Sequence, residues 1–237
     1  MGYSYGSYSE IGTRDKNEDS IGLRRVETGL CAALGDGMGG YRGGEIASGL
    51  LIKAFDQALD SQSPFDVGDV VRTANSMIIS AQQELGFKMK TTAAVVKIDD
   101  RKAAIAHVGD SRVYAFKDSK LVFCTTDHSA AQMCVDIGEI TLDGIRSHPD
   151  RCVLTRALGS SEEVKVELNE LAAEDFDSLL ICSDGFWGSV WESEMCSCLE
   201  NAADPNSWLE GMRKIRRSRV DTDDDNNTAV AIMKERE

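Results

Sequence analysis

The chain has only three prolines in 237 residues, Pro64, Pro149 and Pro205, and no Ser/Gly-rich or low-complexity stretch long enough to act as a linker. With 42% hydrophobic residues to fill a core, that scarcity of breaks predicts a single domain over residues 1–237. No internal repeat interrupts it. No apolar run approaches the length of a membrane span. Met1 to Glu10 has neither the apolar stretch of a signal peptide nor the Ser/Thr that myristoylation wants at position 6. Positive charge is scarce as well. A formal charge of -14 argues against a nucleic-acid partner, because phosphate backbones are bound by clustered Lys and Arg. The seven cysteines are odd in number and lack a paired CxxC framework, which predicts free thiols in a reducing compartment. The expectation is a cytoplasmic monomer without a membrane partner.

Strand-like runs recur at Ser20 to Val26, Leu30 to Leu34, Thr92 to Ile98, Ala103 to Val108, Arg112 to Phe116, Lys120 to Cys124, Val164 to Leu168, Ser178 to Cys182 and Thr228 to Met233. Ile46, Leu50, Ala54 and Ala58 repeat at helical spacing, as do Val67, Val70, Val71, Ala74, Met77, Ile78, Ala81 and Leu85. A further helix is predicted from about Asn206 to Arg219. Two helices in succession after the second strand, then strands following as hairpins, favour an antiparallel α+β layout over alternating βαβ units. The stretch from His128 to Arg151 has mixed polarity, with a short helical piece near Ala130 to Ile137. It reads equally as a surface lid or as a long connection.

Four aspartates stand at the ends of apolar runs beside small residues. They are Asp36 in Gly35-Asp36-Gly37-Met38-Gly39-Gly40, Asp110 in Gly109-Asp110-Ser111-Arg112, Asp184 in Ser183-Asp184-Gly185, and Asp225 in Asp225-Asn226-Asn227-Thr228. A strand end followed by a turn fixes a carboxylate and leaves its oxygens exposed, while glycine lets other groups approach the backbone. Such carboxylates can converge on Mg²⁺ or Mn²⁺, which prefer oxygen ligands.

Gly35 to Gly40 also matches G-x-G-x-x-G, and Asp56 lies near the spacing of a ribose-binding acid. The helical pattern runs through Asp56 with no second strand to carry it, and Asp36 would oppose a pyrophosphate with like charge, so a dinucleotide site is disfavoured. Gly12-Thr13-Arg14-Asp15-Lys16-Asn17-Glu18-Asp19 places an arginine four residues before an acidic pair. Arginine suits a two-pronged grip on phosphate. Alone, this segment reads as a charged turn.

Taken in order, Arg14...Asn17-Glu18-Asp19, Asp36-Gly37-Met38-Gly39-Gly40, Thr91-Thr92-Ala93, Gly109-Asp110-Ser111-Arg112, Leu154-Thr155-Arg156-Ala157-Leu158-Gly159, Ser183-Asp184-Gly185 and Asp225-Asn226...Thr228 resemble the metal-dependent protein phosphatases of the protein phosphatase 2C family. The resemblance runs from Gly12 to Ile232, and His128 to Gly159 is similar to the bacterial members. It implies a central antiparallel β-sandwich flanked by α-helices in four layers, α-β-β-α, with a two-metal centre of Mg or Mn at one end. Asp36 would bridge both ions, the carbonyl of Gly37 would bind the second, and Asp184 and Asp225 would bind the first. Glu18 and Asp19 would hold metal-bound water, and Arg14 would grip the substrate phosphate. Asp110, with Asp184, would match a third, weaker metal position.

The implied activity is hydrolysis of phosphoserine and phosphothreonine in proteins by a metal-bridging hydroxide, without a covalent phosphoenzyme. The implied partners are phosphorylated proteins and a cognate bacterial Ser/Thr protein kinase. The alternative is a catalytically silent binding or regulatory module on the same fold. In keeping with the first reading, no cysteine is followed six positions later by arginine and no G-x-x-x-x-G-K-[ST] loop occurs, which sets aside cysteine-dependent phosphatases and P-loop NTPases. Two positions depart from the family. Met38 stands where some animal relatives carry a proton-donating histidine, and Gly188 stands where an acid often follows the Asp184 position.

His107, His128 and His148 are too scattered in sequence to suggest a zinc site and read as structural. Cys196 and Cys198 read as ordinary thiols that face different sides of a helix. Arg213, Lys214, Arg216, Arg217 and Arg219, followed by Asp221, Asp223 and Asp224, read as a solvated helix face, with a phosphoprotein docking patch as the alternative.

Overall fold

A computed structural model describes residues 2–27, 29–38, 43–61, 64–219 and 224–235. Its strands are β1 (Tyr3–Glu10), β2 (Ser20–Val26), β3 (Gly29–Gly35), β4 (Gly37–Met38), β5 (Lys90–Thr91), β6 (Ala93–Ile98), β7 (Lys102–Val108), β8 (Arg112–Lys117), β9 (Lys120–Cys124), β10 (Glu167–Ala172), β11 (Ser178–Cys182) and β12 (Asn227–Lys234). Its α-helices are α1 (Gly44–Asp60), α2 (Val67–Leu85), α3 (Ala130–Asp136), α4 (Asp184–Trp187), α5 (Glu192–Glu200) and α6 (Pro205–Arg217), with a 3₁₀ turn at Leu142–Ser147.

β3 shows why the sheets stack. Leu30, Ala32 and Leu34 point into one core while Cys31 and Ala33 point into another, so a continuous apolar run serves a strand covered on both faces. The sheet β10-β7-β6-β3-β2 meets the sheet β1-β12-β11-β8-β9 across Leu34, Val96, Ile105, Val113, Leu179, Ile181 and Val230. α1 and α2 cover the outside of the former through Leu51, Phe55, Val71 and Ile78. α4, α5 and α6 cover the outside of the latter through Phe186, Met195, Trp208 and Met212. Both five-stranded sheets are antiparallel throughout, which gives the expected four-layer α+β arrangement.

Local signals set the limits of several elements. Asp66 caps α2 by accepting from Asp69 N–H at 2.9 Å, and Gly86 ends that helix at φ 76°. Asp204 and Ser207 form a reciprocal cap on α6 with Pro205 in its first turn.

Three readings change with the structure. Met1 to Glu10 gave no strand signal, yet Tyr3–Glu10 pairs along its whole length with β12, from Tyr3 opposite Lys234 to Glu10 opposite Asn227. The strand expected at Val164 to Leu168 lies at Glu167–Ala172 instead. Val164 and Val166 are apolar because they pack on the α1/α2 core, not because they join a ladder. The short α4 also escaped the sequence pattern. Among the described residues no helix is long and apolar enough to cross a membrane.

Strand register brings the four aspartate turns together. Leu34 at the end of β3 pairs with Ala94 near the start of β6, whose Ala93 pairs with Val108 at the end of β7. In the other sheet, Cys182 at the end of β11 pairs with Arg112 at the start of β8 and with Ala229 near the start of β12. The turns holding Asp36, Asp110, Asp184 and Asp225 therefore share one end of the sandwich.

Candidate metal centre

A cleft of about 510 Å³ opens at that end, and Arg14, Glu18, Asp36, Gly37, Asp110, Asp184 and Asp225 all line it. Main-chain bonds fix Asp36 as it leaves β3. Its N–H donates to Thr92 Oγ1 at 2.9 Å, and its carbonyl accepts from the Thr92 N–H at 2.9 Å and from the Thr91 hydroxyl at 3.0 Å. Gly37 follows because nothing larger fits: a Cβ would lie 2.3 Å from the Gly44 carbonyl oxygen and 2.5 Å from that of Glu18. Gly39 and Gly40 of the same motif lie outside the described residues. Gly109 turns β7 into β8 at φ 105°, backbone that favours glycine, and delivers a buried Asp110 whose carbonyl accepts from the Trp187 indole at 2.9 Å. Asp184 opens α4 and Asp225 stands two residues before the first residue of β12.

The loop after β1 closes the site. Glu18 donates its N–H to Asn226 Oδ1 at 2.8 Å, and its carboxylate accepts from the Gly44 N–H at 3.2 Å. Asn226 in turn donates to the carbonyls of Ile11 at 2.7 Å and Lys16 at 2.9 Å, so it splices the residue after Asp225 onto the Arg14–Asp19 loop. Asp19 sits behind the cleft wall, buried, with Oδ2 accepting from the Ser183 hydroxyl at 2.9 Å. Its other oxygen has no hydrogen-bond partner among the described residues. Arg14 lines the same cleft and pairs with Asp225. Cys152, not singled out by its sequence context, also lines the cleft with Sγ 3.9 Å from Asp184 Oδ2.

Crowded carboxylates raise one another's pKa. Burial does most of this for Asp36, followed by the charges of Asp19, Asp184, Asp110 and Asp225. Burial and Asp184 act the same way on Asp110, against the pull of Arg112. Asp184 is raised by burial and Asp225, with Arg151 opposing. Asp19 is pushed up to about 7, chiefly by burial and despite the bond from Ser183. Glu18 is raised by burial and by Glu45. A converging set of oxygen donors that disfavours its own ionisation, with an unpartnered buried oxygen on Asp19, suits hard divalent cations. The third position differs. Gly188 offers no carboxylate, and a Cβ built on it would lie 3.1 Å from Arg151 Nη1.

Two of the three histidines meet in space. His107 and His128 stack with ring centroids 4.8 Å apart, and Glu167 Oε2 lies 3.1 Å from His128 Nε2. The donor atoms of the three lie within 4.8 Å of one another, brought together because β7 pairs with β10. The Gly109 N–H donates to His128 Nδ1 at 3.1 Å, so a neutral His128 carries its proton on Nε2 and donates it to Glu167. That proton leaves no lone pair there for a cation, and the positive charge of Arg156, with Nη1 3.0 Å away, opposes one. Burial and His128 lower His107 to about 3, and neither of its ring nitrogens has a hydrogen-bond partner among the described residues.

The basic cluster on α6 is neither an open patch nor wholly solvated. Arg213 and Arg217 pair with Glu10, and Arg219 pairs with Glu194. Arg216 is buried. Arg213, Arg216, Arg217 and Arg219 are thus each engaged by an acid of this chain, while Asp221 and Asp223 lie outside the described residues.

Known proteins are similar to the chain in sequence and fold. Residues 8–215 match the family model for protein phosphatase 2C. The serine/threonine protein phosphatase PstP of Mycobacterium tuberculosis is 34% identical over 206 residues, 83% of this chain and 38% of that protein. The chain thus spans well under half of that relative's length. A crystal structure of PstP/Ppp from Mycobacterium tuberculosis superposes with a TM-score of 0.85 at 30% identity, covering 100% of both chains. The catalytic domain of PstP in complex with two manganese ions superposes at 0.81 and 28% identity, covering 98% of this chain and 97% of that one.

Proposed function

The chain belongs to the protein phosphatase 2C family, and on that premise we propose that it is a single-domain, Mg²⁺- or Mn²⁺-dependent protein serine/threonine phosphatase. Its substrates are phosphoserine and phosphothreonine in proteins, its counterpart is a Ser/Thr protein kinase, and its unbridged thiols suit a cytoplasmic site of action. One observation carries the reading: Asp36, Asp110, Asp184 and Asp225, far apart in sequence, line one cleft with Arg14 at its mouth.

Asp36, the Gly37 carbonyl, Asp184 and Asp225 would hold two ions, with Glu18 and Asp19 orienting the surrounding water. Asp110 offers a third position, weakened by Gly188 and by the guanidinium beside it. Bound there, the cations would lower the pKa of water and offset charge on the phosphoryl oxygens. Arg14 supplies fixed donors for the phosphate, a task its planar fork performs better than an ammonium would. The Asp36 turn and the glycine after it admit no adjustment, so the carboxylate is aimed before substrate arrives. Met38 lines the same wall and has no proton to give to a leaving group, so no histidine-like side-chain acid acts from that position.

The test is phosphate release from a phosphothreonine peptide with Mn²⁺, with EDTA and with Asp36→Asn. Turnover that needs Mn²⁺ and the Asp36 carboxylate supports the reading. A metal-saturated chain without turnover, or an Asp36→Asn variant as fast as the parent, rejects it.

A further inference from the structure

Arg216 is the one member of the α6 basic cluster that turns inward. Its side chain is 3% exposed, although it lies in the last turn of a helix whose other cations reach solvent or surface acids. Nε donates to the Gly185 carbonyl at 3.0 Å, and Nη2 pairs with the Asp224 carboxylate. Gly185 directly follows Asp184, and Asp224 directly precedes Asp225. Thr13 holds Asp224 from the other side: its N–H donates to the Asp224 carbonyl at 2.9 Å, and its hydroxyl accepts from the Asp224 N–H at 2.9 Å. The two loops also meet backbone to backbone, since a Cβ on Gly185 would lie 2.1 Å from the Asn226 carbonyl oxygen.

A guanidinium removed from water is expensive, and a buried ion pair seldom adds net stability over apolar residues of similar size. What such a pair can supply is a fixed geometry, because the planar fork contacts both partners along set directions. Here the partners are the immediate neighbours of two carboxylates that must sit at one separation to share an ion. α6 itself is anchored by Trp208, Leu209 and Met212 in the core, so Arg216 refers both loops to a rigid element.

We infer that Arg216 is a positioning residue for the first metal, setting the distance between Asp184 and Asp225 by holding Gly185 and Asp224 from beneath. The inference rests on the proposal that those two aspartates are metal ligands. It concerns affinity for the ion, not contact with it.

Direct Mn²⁺ titration of the purified chain by calorimetry tests it, alongside thermal melting in EDTA. Arg216→Met/Asp224→Asn removes both charges together and so leaves no unpaired buried ion. Loss of partners that orient metal ligands weakens metal binding by ~10–100-fold. The double variant is therefore expected to bind Mn²⁺ at least about tenfold more weakly while melting in EDTA close to the parent. Arg216→Lys keeps the charge but cannot reach two diverging acceptors, and should weaken binding in the same sense. Should the double variant fail to fold, Arg216→Lys decides. Parental Mn²⁺ affinity in the folded variant overturns the inference. Failure of the parent itself to bind Mn²⁺ would instead remove the metal reading on which it stands.

Discussion

Arg14 grips Asp225 in a two-pronged pair, Nε to Oδ1 at 3.0 Å and Nη2 to Oδ2 at 3.1 Å. Both side chains are close to half exposed, so water screens the pair and it contributes little to stability. The proposed chemistry needs the same guanidinium on phosphate. Charge-assisted bonds of this kind are worth roughly 1.5–3 kcal/mol. Arg14→Ala should therefore raise KM for a phosphothreonine peptide by roughly 10–100-fold with a melting temperature close to the parent's. A KM within a factor of about two of the parent's would put Arg14 outside the phosphate site.

Asp36 is fixed by three main-chain bonds and faces the cleft. Asp36→Asn keeps the shape and removes the charge. Partners that merely orient metal ligands cost ~10–100-fold when lost, so removal of the proposed ligand itself should lower kcat more than about 100-fold. Steady-state kinetics at saturating Mn²⁺ measures it.

Asp19, Asp36, Asp110 and Asp184 all have pKa values raised by folding. The metal-free fold thus keeps protons that the unfolded chain has already released, and it loses stability as pH rises from the ordinary aspartate value of 3.8 towards the about 7 of Asp19. The EDTA-treated protein should melt at a higher temperature at pH 5.5 than at pH 8. Mn²⁺ must displace those protons, so calorimetry in two buffers of different ionisation enthalpy should register proton release. A melting temperature flat across that range would contradict the electrostatics described.

Away from the cleft mouth, Arg112 pairs with Asp127 at 2.8 and 2.7 Å, both side chains almost wholly buried, and stacks 3.6 Å from the centre of the Trp187 ring. Asp127→Ala removes its two-pronged partner and leaves the buried guanidinium only the Tyr114 hydroxyl at 3.0 Å and the more distant Glu192 at 3.4 Å. Removing one member of a buried pair costs about 3–5 kcal/mol, which urea unfolding of the variant would register.

The aspartates were legible because each ends an apolar run beside a small residue, a local pattern. Their meeting was legible only through the family resemblance, since it follows from strand register inside two separate sheets, Leu34 beside Ala94 in one and Cys182 beside Ala229 in the other, and from the stacking of those sheets. Tyr3–Glu10 was missed because its Tyr, Ser and Gly residues carry no run of β-branched or aliphatic side chains, and its pairing partner lies at the other end of the sequence. His107 and His128 escaped because β8 and β9 separate them in sequence before the chain returns to the end of β7, where the His128 N–H donates to the Gly109 carbonyl at 2.8 Å. Arg216 could have been found. Trp208, Met212 and Arg216 fall at successive intervals of four on α6, so helical spacing already put the arginine on the buried stripe.

β12 lies between β1 and β11, and the Asp225 turn opens it. Until that late segment inserts, β1 and β11 have no common neighbour and Asp36, Asp110 and Asp184 surround an incomplete pocket. On a ribosome the centre would therefore be the last thing this domain acquires, and an emerging chain could carry most of its core while still unable to perform the proposed hydrolysis. Closure over more than 200 residues is a slow, non-local step, which ties the onset of activity to completion of the fold.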